Sequence, residues 1–173
     1  RAEMEGFNPQ ALANLSANWQ TMGEAGEFLF ETMGRYFDFS GVDQLTLPTT
    51  TFDGTMVLTV GDKTVELTDL GPAHTESDTI AWVVEDRTVF TGDLLFNEGH
   101  PVVWAGPLAN WIAACDFIIG LDPEVVVPGH GPICDVEAVR TMKGYFEHLR
   151  NEARGRFDAG LDWREEARDI PIR

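Results

Sequence analysis

Between residues 46 and 91 the chain falls into short runs rich in Thr, Val and Leu, at 49–52, 55–60, 64–70, 79–84 and 87–91. Asp53-Gly54, Gly61-Asp62 and Glu85-Asp86 separate neighbouring runs. β-branched runs divided by such pairs predict antiparallel strands joined by tight turns. The last run continues into Gly92-Asp93, which places Asp93 at a strand's carboxyl end. Further on, Leu108, Trp111, Ile112, Cys115, Ile118 and Ile119 recur at helical spacing after Pro107 and stop at Gly120. That is an amphipathic helix. Residues 124–127 form a short strand, apolar after its first residue, as expected for burial on both faces. A long helix follows from Val136 to about Phe157, with Val139, Met142, Phe146, Leu149 and Ala153 as its stripe and His148 off it, on the surface.

The first 45 residues are patterned differently. Asn8 and Pro9 suit a helix start, and Leu12, Leu15, Trp19 and Met22 make one stripe that Gly23 and Gly26 break. A second helix is expected over residues 27–37, with Leu29, Met33, Tyr36 and Phe37 inward. A short helix capped by Asp162 is expected over 162–168. The pattern therefore reads as an α+β chain, with a helical segment at 1–45 and a mostly antiparallel β-rich part with flanking helices at 46–173, within one domain overall.

Composition narrows the function. The 173 residues carry 29 acidic and 12 basic side chains, a net charge of −17. Nucleic acids and anionic membranes call for basic surface, so neither is an expected partner. No apolar run is long enough to span a bilayer. Two cysteines, Cys115 and Cys134, make no disulfide framework, and Cys115 falls on an apolar helix face as a core residue. That usage fits the cytoplasm.

Three short sequences carry candidate chemistry: Gly71-Pro72-Ala73-His74-Thr75, Thr91-Gly92-Asp93, and Pro128-Gly129-His130-Gly131-Pro132. Each sets one metal-capable side chain among small or turn-forming residues at a strand end. Imidazole and carboxylate are ligands that zinc, iron and manganese accept. Gly129 and Gly131 clear space around His130, and Thr75 and Asp78 are placed to orient His74 by hydrogen bonds. Singly, each has a plain structural reading as a core, cap or turn residue. Together they point to a metal site.

The three motifs, in this order and with 19 and then 37 residues between the key side chains, resemble the metallo-β-lactamase superfamily. Within it the detail is similar to bacterial hydrolases of the polyketide cyclase and thioesterase type. The resemblance implies an αββα sandwich with a dinuclear site, normally zinc, with iron or manganese as other occupants. His74 would bind one ion, His130 the other, and Asp93 would bridge them. A metal-bound hydroxide would attack the carbonyl of a small-molecule ester, thioester, lactone or related substrate, with Asp93 and His130 in the catalytic set. The family's His-x-His-x-Asp-His motif is not in this chain, whose four histidines stand at 74, 100, 130 and 148. The chain also begins at Arg1. The expectation is therefore the C-terminal portion of an incomplete sandwich, impaired on its own and possessing an apolar surface covered by self-association or by a complementary N-terminal half. His100, in the loop after Asp93, is a candidate replacement ligand, with a surface or substrate-loop role as its plainer reading. The competing reading is an inactive fragment or degenerate half-domain that serves assembly or binding.

Overall fold

A computed structural model describes residues 19, 21–34, 48–162 and 170. The expected helix from Asn8 with Leu12 and Leu15, the inward Tyr36 and Phe37, and the helix over 162–168 lie outside these residues. The chain divides into two units, residues 1–51 and 52–173.

In the first unit an α-helix, α1, spans Gly23–Leu29 and passes into a π-helical turn at Phe30–Gly34. Trp19 is helical, a turn and bend follow at residues 21–22, and a new helix starts at Gly23, so the stripe breaks before Gly23 as expected, while Gly26 lies inside the new helix. Gly23 has φ 61, so the preceding segment turns at this residue. Gly26 is buried, and a Cβ there would overlap the backbone carbonyl of Trp19. Glycine is used for close packing at Gly26, which a propensity argument misreads as a break.

In the second unit five strands form one sheet in sequence order: β1 (Thr55–Val60), β2 (Lys63–Asp69), β3 (Thr79–Val83), β4 (Thr88–Phe96) and β5 (Val125–His130). The first four pair antiparallel as a meander, and β5 joins β4 in parallel. Gly61 and Asp62 close the β1–β2 hairpin, with Gly61 at φ 64 in the first loop position, where a II′ turn needs it. The run at 49–52 is not a strand; no partner pairs with it, and β propensity without a ladder does not make one.

Two helices complete the unit, α2 (Leu108–Gly120) and α3 (Val136–Asp158). α2 is the crossover that a parallel β4–β5 pair requires. Asp135 caps α3, its carboxylate accepting from the Glu137 N–H at 2.9 Å. The core joins Ile80, Trp82, Val89 and Val126 of the sheet to Trp111, Cys115 and Ile118 of α2 and Val139, Met142 and Phe146 of α3. The α3 stripe fades past Leu149, where Ala153 is exposed, and His148 is half-buried rather than solvated.

Register explains the two faces. Trp82, Val89 and Val126 are partners across three strands and face the helices. One residue on, Met56, Leu67, Ala81, Phe90 and Val127 form a row across all five strands. Every member is apolar, yet four are half-buried and Phe90 is exposed. β5 is thus buried on one face, not on both as its composition suggested. The architecture is α+β, one sheet with helices packed on one side: half of the expected four-layer sandwich among the described residues.

Candidate metal centre

Asp93 does not sit beyond the end of a strand. β4 runs on to Phe96, with register shifts against β5 on both sides of Gly92. The sequence hid this because strand continuation depends on β5, which pairs Phe96 with His130. The irregularity turns Asp93 towards the last residues of β5, and a Cβ on Gly129 would overlap its carboxylate.

The site assembles around that carboxylate. His74 Nε2 lies 3.3 Å from Asp93 Oδ2, and His130 Nε2 lies 3.4 Å from Asp93 Oδ1. Each histidine thus faces its own carboxylate oxygen. Charge-assisted hydrogen bonds are shorter, about 2.7–2.9 Å. Two ligands about 2.1 Å from one ion at a tetrahedral angle lie about 3.4 Å apart. The spacing therefore suits two oxygen–nitrogen ligand pairs better than two ion pairs.

His74 is fixed from behind. Its Nδ1 lies 2.6 Å from the Val102 carbonyl, which can only accept. Nδ1 therefore carries a proton, and Nε2 faces Asp93. The Trp104 and Ala105 N–H groups donate to the His74 carbonyl at 3.0 and 3.2 Å, and Trp111 meets the ring edge-on. Trp111 itself donates to the Leu94 carbonyl at 2.8 Å. Asp78 is buried and holds the loop, accepting from the Ala73 and Thr75 N–H groups, each at 3.0 Å, and from the Thr75 hydroxyl at 2.8 Å. Asp78 and Thr75 therefore orient His74 through the backbone, while the direct partner is a backbone carbonyl, which sequence cannot single out. His130 is more open, and its ring stacks on Phe96 at 4.5 Å and 14°. Gly131, at φ 89, lets the Asn97 backbone approach, and the Asn97 N–H donates to the His130 carbonyl at 2.9 Å.

The other candidates lie apart from this set. His100 is engaged elsewhere, its Nδ1 2.9 Å from the Pro101 carbonyl and its Nε2 2.8 Å from the Tyr145 hydroxyl. Cys115 is buried, and desolvation, with Asp116 adding to it, pushes its thiol up to about 12. Among the described residues no group of three or more ligating side chains converges on one point. What converges is two histidines on the two ends of one carboxylate.

A model of the metallo-beta-lactamase superfamily matches residues 17–130, ending on His130. The chain belongs to the metallo-β-lactamase superfamily. This superfamily member is 31% identical over 83 residues to the beta-lactamase-like protein 2 homolog of Caenorhabditis elegans, a match over 48% of this chain and 27% of that protein. It is similar in fold to a metallo-beta-lactamase from Pontibacter korlensis, with TM-score 0.52 and 19% identity over 71% of this chain and 63% of that one. A stereoselective inverting sec-alkylsulfatase from Pseudomonas sp. is similar too, with TM-score 0.57 and 15% identity over 68% of this chain and 21% of that one. The chain thus spans about a quarter of the curated relative it matches and under two thirds of these solved chains. At such identities the structural likeness shows the fold.

Proposed function

We propose that this chain supplies the bridging part of a binuclear metal centre in a hydrolase acting on an ester, thioester, lactone or related carbonyl compound. The observation that carries this is the shared carboxylate, with one imidazole Nε2 facing each Asp93 oxygen at 3.3 and 3.4 Å. His74 Nε2 with Asp93 Oδ2 would hold one ion, and His130 Nε2 with Asp93 Oδ1 the other. Bound divalent ions supply Lewis acidity and an acidified water. The protein's part is preorganisation: Val102 sets the His74 tautomer, Phe96 holds the His130 ring and Asp78 holds the loop. The donor types fit zinc, with iron and manganese as alternatives. The number is short, since a catalytic zinc takes three protein ligands and these residues give two per ion. The remaining ligands would come from outside these three motifs.

The test is zinc content by mass spectrometry after dialysis against micromolar zinc, with hydrolysis of a small thioester and ester panel alongside. The expected result is bound zinc, lost in Asp93→Asn together with any turnover. No retained metal, with turnover indifferent to Asp93→Asn, would sink the proposal.

A second reading is favoured by one observation, the half-covered apolar row from Met56 to Val127. On this reading the chain is an assembly module whose open sheet face packs on a second copy or a complementary half. It predicts an oligomer in sedimentation, reduced to monomer by Phe90→Lys. A wild-type monomer at all accessible concentrations would rule out packing on a second copy. Phosphate-backbone substrates are disfavoured by the −17 charge.

A further inference from the structure

Next to the proposed metal centre lies a cleft that the site itself does not use. It opens between the loop after β4 and the first turns of α3, with a volume of about 480 Å³. That is within the range of about 300–1,000 Å³ typical of small-molecule sites. Phe96, Pro101, Ala138 and Met142 form apolar walls, and Tyr145 and His100 also line it. Phe96 is shared: one side stacks on the His130 ring, and its side chain also lines the cleft. A group in the cleft is therefore one aromatic ring away from the proposed centre.

The polar groups decide what the cleft accepts. His100 Nδ1 donates to Pro101, so in the neutral ring Nε2 accepts from the Tyr145 hydroxyl. The pair satisfies itself, each group engaging the other. Burial raises the Tyr145 hydroxyl above its ordinary value, which keeps it neutral. Glu98 is exposed on the lining, within a chain of net charge −17. No Lys or Arg lines the cleft. An anion entering it would lose water and find no Lys or Arg to pair with, beside the Glu98 carboxylate.

We infer that this cleft is the acyl subsite: it takes an uncharged hydrocarbon group, the non-reacting tail of the carbonyl substrate, against Phe96 and Met142. The assignment of the tail to a substrate rests on the hydrolase reading; the binding itself does not. Phe96 sets the boundary between the tail and the reacting end, and α3 residues set the depth.

The experiment is a titration of metal-free protein, carrying ¹³C-methyl methionine, with 1-octanol, octanoate and octylammonium. The Met142 signal is assigned through Met142→Leu. The expected result is a saturable shift of the Met142 methyl with octanol, no matching shift at Met56, and about tenfold weaker binding of octanoate. Thr141→Trp, at an exposed lining position, should abolish the saturable shift while leaving the circular dichroism spectrum unchanged. Ala138→Leu should weaken it. Equal affinity for octanoate, preference for octylammonium, shifts spread equally over Met56, or unchanged binding in Thr141→Trp would each overturn the inference. Because the readout needs neither metal nor turnover, its failure leaves the bridging-carboxylate proposal standing, and the converse also holds.

Discussion

At the scale of single residues, the site depends on small groups in fixed places. Gly129 is one: any side chain there meets both the Asp93 carboxylate and the Gly92 backbone. Gly129→Ala should leave the helical signal in circular dichroism intact while lowering zinc affinity by about tenfold or more, read by competition with a chromogenic chelator. Cys115 gives a prediction independent of any metal. An unfolded chain ionises this thiol near 9 and the folded chain near 12, so stability falls as pH rises between those values. At pH 10 the loss attributable to this group is about 1.4 kcal/mol. Urea midpoints at pH 8 and pH 10 should differ more in the wild type than in Cys115→Ala. An alkylating agent at pH 8 should label Cys134 and reach Cys115 only after unfolding.

At the scale of elements, the loop carrying His74 is tied to Asp78 and to the 102–105 segment. Asp78→Ala removes a buried acceptor of several hydrogen bonds and leaves the Thr75 N–H unpaired, while the Ala73 N–H keeps the Thr75 carbonyl. The expected loss is about 2–4 kcal/mol in urea unfolding, with zinc affinity down about 10–100-fold. If stability falls but affinity does not, the loop does not set the ligand. These dependencies mark how much was legible in advance. β1 to β4 and both large helices were readable because their signals are local: Thr and Val runs, Gly61-Asp62, and i, i+3, i+4 stripes. His74, Asp93 and His130 were readable because each stands among small or turn-forming residues, although only His130 proves to be at a strand end. What resisted was non-local. The extension of β4 to Phe96 depends on β5, the reading of Gly26 depends on Trp19, and the Val102 carbonyl has no side-chain identity to read. The run at 49–52 has a strand's composition without a strand's neighbour.

At the scale of the whole molecule, charge and exposed apolar surface oppose each other. Copies of a −17 chain repel, while the row through Phe90 favours association. If the open face associates, raising salt from about 0.02 to 0.3 M shortens the screening length and should increase the sedimentation coefficient. Phe90→Lys should suppress that response. No helix among the described residues is long and apolar enough to cross a membrane. The site also has a consequence for inheritance. His74, Asp93 and His130 come from a loop, an irregular strand and the end of β5, far apart in sequence but joined at one carboxylate. Once Asp93 is changed, replacing either histidine should add little further cost to zinc affinity, so the substitutions show strong epistasis. The three positions are then free to vary only together, and a lineage that loses the aspartate releases both histidines at once.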